Sequence, residues 1–168
     1  MNKTIIVYGS STGTCEDIAY RIAKRLGVEN KYVIEANVLT PELVSSSDNL
    51  ILGTSSWDAG EMQDDWYDGL KIIGGCDLTG KNIAIFGCGD CESFSDTFCG
   101  GMEQLWNGIK DKGANLIGQV STEGYTFDDS EAVIGDQFIG LALDEVNEAE
   151  KTDERIENWV EQIKKSLK

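Results

Sequence analysis

Thr4 to Arg25, TIIVYGSSTGTCEDIAYRIAKR, constrains this chain more than any other stretch. Thr4, Ile5, Ile6, Val7 and Tyr8 read as a strand that breaks at Gly9 into SSTGTC. Ile18, Ile22 and Leu26 then recur four apart, with Ala19 and Ala23 beside them, which is the stripe of an amphipathic helix. A strand, a turn of small hydroxylated residues and a helix N-terminus together form an anion cradle. First-turn N–H groups have no helical partner, the helix dipole favours negative charge, and Ser10, Ser11, Thr12 and Thr14 add hydroxyl donors around Gly13 and Cys15. A plainer reading, a Ser/Thr-rich turn that only caps a helix, uses the same residues.

The cradle is also defined by what it lacks. No Lys or Arg lies between Gly9 and Tyr20, and Glu16 and Asp17 follow at once. A nucleoside triphosphate site of the G-x-x-x-x-G-K-[ST] kind is therefore absent, as is a G-x-G-x-x-G turn. One phosphate held by neutral donors fits better.

Thirty acidic against fourteen basic residues, with no histidine, give a formal charge of -16. Nucleic acid and anionic membrane are poor partners for such a surface, whereas a protein with a basic face is a good one. At 168 residues the chain is expected to be a single domain spanning 1–168. No secretory signal pattern and no apolar run near the ~20 residues of a membrane span occurs, so a cytoplasmic monomer with five reduced cysteines is expected.

The rest of the chain alternates. Residues 31–35 read as a second strand, Thr40 as an N-cap before Pro41, and Asn49 to Gly53 as a third strand, apolar enough to be buried on both faces. Met62, Trp66, Leu70 and Ile73 mark a helix, and residues 83–87 a fourth strand. Phe98, Met102, Leu105, Trp106 and Ile109 suggest a helix stopping at Gly113, and residues 115–118 a short fifth strand. A last helix is expected from a cap at Thr152, with Ile156, Trp159, Val160, Ile163 and Leu167 on one stripe. This rhythm predicts an α/β fold, a parallel sheet covered by helices on both faces. Residues 121–148 are too many for a strand-to-helix loop and are expected to be an insertion that interrupts or lies against the last strand. Its acids Asp128, Asp129 and Glu131 suggest a surface facing a partner.

In an open parallel sheet, ligands sit at the carboxyl ends of the strands where strand order reverses. The loops at 10–15, 54–61 and 88–99 then meet, and two carry isolated aromatics, Trp57 and Phe94. Neither ring belongs to an apolar stripe. Two aromatic faces beside a monophosphate cradle suit a flat heteroaromatic ring.

These motifs, with Phe86-Gly-Cys-Gly-Asp90 and Glu123 to Phe127 before the insertion, resemble the long-chain flavodoxins from end to end. Flavodoxins are a standing example of the switch-point rule, so that rule is not independent support. The resemblance implies a three-layer fold with a five-stranded parallel sheet in the order 2-1-3-4-5. It implies non-covalent FMN, its phosphate held by Ser10, Ser11, Thr12, Gly13, Thr14 and Cys15. Trp57 and Phe94 would stack on the ring, with Ser55, Ser56, Asp58, Ala59, Gly60, Cys88, Gly89 and Asp90 along its edge. Phe98 and Cys99, at the end of the third loop, complete the expected cofactor-binding set. In that family the peptide after the tryptophan, here Asp58 to Ala59, turns its carbonyl toward N5–H of the reduced ring. It implies a low-potential one-electron carrier without its own substrate, serving reductases and electron-accepting enzymes. Cys15 departs from the usual Thr, and Phe94 from the usual Tyr.

Three rival readings use other features. Cys15 and Arg21 form a C-x5-R string, but the intervening Glu16 and Asp17 would repel a phosphate ester. Cys88, Cys91 and Cys99 could form a thiol pair or a metal site, though no histidine is available as a further ligand. An FMN-dependent NAD(P)H:quinone oxidoreductase is the main alternative. It would need an open ring face and a nicotinamide site.

Overall fold

The computed structural model describes residues 3–57 and 59–168. Its central sheet is built from β1 (Thr4–Gly9), β2 (Val33–Glu35), β3 (Asn49–Trp57) and β5 (Asn82–Cys88), all parallel, in the spatial order β2, β1, β3, β5. The position beyond β5 is shared by two short strands. β6 (Asn115–Ile117) pairs with the first half of β5, Ala84 facing Ile117, and β10 (Leu141–Leu143) with the second half, Phe86 facing Leu141. One strand thus leaves the sheet and returns in line. Its return is possible because residue 140 is glycine, whose Cβ would otherwise stand 2.0 Å from the Ile85 carbonyl oxygen.

Side chains alternate across the strands and build two cores. On one face Ile5, Val7, Leu50, Leu52, Ile83 and Ile85 meet α2 (Pro41–Ser45), α3 (Asp65–Gly74) and α4 (Gly101–Asn107) through Val44, Trp66, Ile73, Met102 and Leu105. On the other, Ile6, Tyr8, Ile51, Ala84 and Phe86 meet α1 (Thr14–Leu26) and α5 (Ala149–Lys164) through Ile18, Ile22, Ile156, Trp159 and Ile163. Each face has one buried indole with its N–H satisfied: Trp66 donates to the Gly53 carbonyl (2.7 Å) and Trp159 to that of Gly118 (2.8 Å). Truncating either to Ala is expected to cost about 3–5 kcal/mol.

The interruption holds a separate antiparallel sheet, β7 (Val120–Ser121), β9 (Gln137–Phe138) and β8 (Val133–Ile134), in that order. An aromatic cluster fastens it to the body. Phe98 stacks on Phe127 at 5.6 Å between centroids and meets Phe138 edge-on at 6.0 Å, while Tyr125 donates its hydroxyl to the Ala142 carbonyl (2.7 Å) under the Arg155 guanidinium.

Several sequence expectations shift. Asn30–Tyr32 is a 3-10 turn, so β2 keeps only Val33–Glu35. β3 runs on to Trp57 and turns back into β4 (Glu61–Met62), which takes Met62 out of α3. Here Thr54 and Ser55 continue the parallel ladder and Ser56 and Trp57 pair antiparallel with Met62 and Glu61, which periodicity could not foretell. Phe98 lies outside α4, drawn into the aromatic cluster. Thr152 is not a cap: α5 begins at Ala149, and Thr152 is buried within it. The Thr40 cap is found as expected, accepting from the Leu43 N–H.

Candidate functional site

A cavity of about 510 Å³ opens at the carboxyl ends of β1, β3, β5 and β10. Its walls come from four segments: Thr12 and Thr14 after β1, Ser55 to Trp57 at the end of β3, Cys88 to Asp90 with Phe94 after β5, and Glu145 with Val146 after β10.

The first wall is a helix start with no basic residue, its first turn carrying Glu16 and Asp17. Gly13 takes φ +91°, a left-handed conformation cheap only for glycine, and so swings the chain into α1 without a side-chain cap. The first helical bond runs from the Asp17 N–H to the Gly13 carbonyl (3.0 Å), so the N–H groups of Thr14, Cys15 and Glu16 precede the ladder and point out of its end. Ser10 Oγ accepts from the Gly13 N–H (3.1 Å) and closes the loop. Ser11 Oγ accepts from Gln63 Nε2 (3.1 Å), and the Gln63 N–H donates to Thr54 Oγ1 (2.9 Å). Buried Gln63 thereby ties this loop to the β3–β4 hairpin, a brace that no sequence pattern signalled.

The second wall is that hairpin. Trp57 is 41% exposed, and its Nε1 donates to Ser55 Oγ (2.9 Å). The Gly60 N–H donates back to the Trp57 carbonyl (2.9 Å), with Gly60 at φ +85°. Asp58 lies outside the described residues. Cys99, in the third loop, is a non-glycine residue with a positive φ, +53°.

The third wall is organised by Asp90. Its Oδ1 accepts from the N–H groups of Glu92 (3.1 Å) and Ser93 (2.9 Å) and from Asn147 Nδ2 (2.8 Å). The Ser93 N–H first, then the Asn147 amide, hold its carboxyl below the usual aspartate value. The loop so formed lifts Phe94 to 43% exposure. The inserted sheet's long loop clasps it from outside: Ser95 Oγ donates to Asp128 Oδ2 (2.7 Å), the N–H groups of Asp128 and Asp129 donate to the Ser95 carbonyl, and the Phe98 N–H donates to that of Asp129.

Of the expected residues, Ser10, Ser11 and Ala59 lie beside the cavity without lining it, and three more have side chains buried away from it. Cys15 and Cys99 have no exposure and Phe98 1%. Phe98 seats the inserted sheet. Burial, then contact with Cys88, pushes the Cys15 thiol well up, and burial does the same for Cys99. Cys15 therefore offers the cavity its N–H and no thiolate, which removes the C-x5-R reading.

The structure also adds residues. Glu145 and Val146 line the cavity, and Asp144 before them is fully buried. Asp144 Oδ1 accepts from the N–H groups of Val146 (3.0 Å) and Asn147 (2.9 Å), and Oδ2 from the Cys91 N–H (2.9 Å) and Asn147 Nδ2 (2.9 Å). Burial alone would raise the Asp144 pKa, but hydrogen bonds from Cys91 and Asn147 bring it below the ordinary value. Cys91, Asp144 and Glu148 bring potential metal-ligand atoms within 4.8 Å of one another. The four acceptor sites of Asp144 are nevertheless filled by nitrogen donors, Glu148 is paired with Lys151 and Arg155, and burial followed by the Asp144 hydrogen bond pushes the Cys91 thiol up to about 12. The cluster is a staple between two walls.

The flavodoxin family model matches residues 6–159. Flavodoxin 1 of Escherichia coli K12 is 39% identical over 168 residues, covering 99% of this chain and 96% of that one, and flavodoxin 1 of Azotobacter vinelandii is 38% identical over 164, covering 95% and 94%. The crystal structure of Fusobacterium nucleatum flavodoxin bound to flavin mononucleotide superposes with a TM-score of 0.90 at 33% identity, covering 100% of both chains.

Proposed function

Because the chain belongs to the flavodoxin family, we propose that its cavity holds FMN without a covalent bond and that the protein carries single electrons between redox partner proteins. The observation that carries this reading is one cavity that combines a helix N-terminus entered through a hydroxyl-rich turn without Lys or Arg with two half-exposed rings from separate loops. Its size lies within the range of cofactor sites. The phosphate belongs at the N–H groups of residues 14–16 and the hydroxyls of Ser10, Ser11, Thr12 and Thr14. The ring belongs against Trp57 and Phe94, with its polar edge toward residues 55–60 and 88–90, Asp58 and Ala59 included. Phe98 and Cys99 leave this set for the core, and Cys15 contributes its backbone alone.

Bound FMN supplies the electron-accepting ring, and the chain supplies its surroundings. Trp57 and Phe94 exclude water from the ring faces, while Glu61, Asp64, Glu92 and Asp96 are exposed on or beside the two aromatic loops. A negative charge at ~10 Å opposes an added electron by about 0.4 kcal/mol in a water-like dielectric. Several together favour strongly reducing potentials. The same rim suits partners with basic faces, and transfer rates to them should fall as salt rises.

We further read the 168 residues as one domain acting as a cytoplasmic monomer. No helix among the described residues is long and apolar enough to cross a membrane. The quinone oxidoreductase reading is not favoured, since the full-length relatives are flavodoxins. The test is direct. The purified chain should be yellow, release a compound with the mass of FMN on heating, and as apoprotein quench the fluorescence of added FMN; a colourless chain that leaves FMN fluorescence unchanged would refute the reading.

A further inference from the structure

Glu145 is an unwelcome neighbour for a phosphate. It lines the same cavity as Thr12 and Thr14, its side chain is three-quarters buried, and no Lys or Arg stands in the cradle itself. The first cation after the cradle is Arg21, one helical turn beyond Asp17 on α1, and its guanidinium reaches this carboxylate. Arg21 Nη1 lies 3.0 Å from Glu145 Oε1 and 3.3 Å from Asp17 Oδ2, and Nη2 lies 2.8 Å from Asp153 Oδ1. Arg25 holds Asp153 and Glu157 from the same helix at 3.0 Å each. Only an arginine can make this contact set, because the planar fork addresses three carboxylates at once where a lysine offers a single point charge.

We infer that Arg21 is a positioning residue for the cofactor phosphate: it holds Glu145 against α1 and cancels its charge toward the cradle. This rests on the FMN reading above. The other acidic side chain on the cavity wall among the described residues, Asp90, is already engaged by N–H donors of its own loop and by Asn147. Glu145 has Arg21 instead. Releasing it restores a carboxylate beside a doubly charged ligand. The consequence is selective, because the penalty falls on the phosphate and not on the ring.

Comparing FMN with riboflavin, which lacks the phosphate, separates this role from general loosening. Apoprotein dissociation constants are measured by fluorescence quenching for wild type, Arg21→Gln, Arg21→Lys, Glu145→Gln and the Arg21→Gln/Glu145→Gln pair, with thermal unfolding as a folding check. Arg21→Gln should raise the FMN Kd about two- to five-fold at low ionic strength, with the effect shrinking in high salt, and leave riboflavin binding as in wild type. Arg21→Lys should fall between. Glu145→Gln should bind FMN at least as tightly as wild type, and in its presence Arg21→Gln should lose most of its effect. Equal losses for FMN and riboflavin, or the same factor for Arg21→Gln in both backgrounds, would overturn the inference. If wild type quenches FMN and Arg21→Gln matches it, this inference alone fails; if wild type itself does not quench FMN, the parent reading fails with it.

Discussion

Asp144 is the side chain on which most of the cavity depends without touching its interior. Its two oxygens accept four hydrogen bonds, from Cys91, Val146 and twice from Asn147, which join the loop after β5 to the loop after β10. Asp144→Asn keeps the shape but turns an NH2 toward two donors on one side. A hydrogen bond to a charged acceptor contributes about 1.5–3 kcal/mol, and bonds sharing one carboxylate are far from additive, so the variant should lose roughly 2 kcal/mol. Asp144→Ala removes all four acceptor contacts and should lose about 3–4 kcal/mol, or roughly 6–16 °C in Tm for a domain of this size. Urea unfolding of the apoprotein, with the slope m checked for constancy, measures both. The pH dependence adds a second signature. Folded Asp144 is a stronger acid than free aspartate, so its contribution is complete above the free value near 3.9 and vanishes as pH falls through the lower folded value. Wild type should therefore lose stability in that acid window by more than Asp144→Asn does. An Asn variant within about 0.5 kcal/mol of wild type and with an unchanged acid profile would refute the reasoning.

Trp57→Ala and Phe94→Ala should each weaken FMN binding by roughly ten-fold, given the area and ring geometry that stacking supplies; calorimetric titration with an unchanged Kd for either would remove that ring from the site. Ser95→Ala breaks the hydroxyl bond to Asp128 that braces the Phe94 loop, and a two- to five-fold rise in the FMN Kd at unchanged global stability is expected from a lost hydrogen bond of about 0.5–1 kcal/mol. Ala59→Gly should move the first midpoint potential upward by about 40 mV, because a left-handed Ala costs about 1 kcal/mol when the Asp58–Ala59 peptide turns toward the reduced ring; potentiometric titration giving an identical value would defeat the argument.

The frame of the molecule was legible because its signals are local and periodic. The apolar runs of β3 and β5, the Ile18, Ile22 and Leu26 stripe and the Thr40 cap each specify an element within a few residues. Residues 54–57 read as loop because their polar side chains hide a hairpin whose pairing with Glu61 and Met62 depends on Gly60. Phe98 read as part of the third loop or of a helix stripe. Only the return of residues 125–138 from far along the chain makes it a seat for Tyr125, Phe127 and Phe138. Glu145 escaped the site for the same reason. Until β10 is known to resume the fifth strand position, nothing says that the residue after Leu143 and Asp144 emerges at the same sheet edge as Thr12 and Phe94.

A chain with a formal charge of -16 that binds a phosphate ester must solve its own electrostatic problem. A lysine in the cradle would do so at one point, and none is present. Acids around the cavity are instead engaged individually: Asp90 by loop N–H groups and Asn147, Asp144 by Cys91, Val146 and Asn147, and Glu145 by the Arg21 cation. Exposed Glu61, Asp64, Glu92 and Asp96 have no such partner role inside the cavity; water weakens their effect on the ligand, and a basic partner at close range would meet them in full. Engaged carboxylates inside and free ones outside are therefore separable. Substitutions at the inner acids should change cofactor affinity with little effect on the salt dependence of electron transfer, and substitutions at the outer ones should do the reverse.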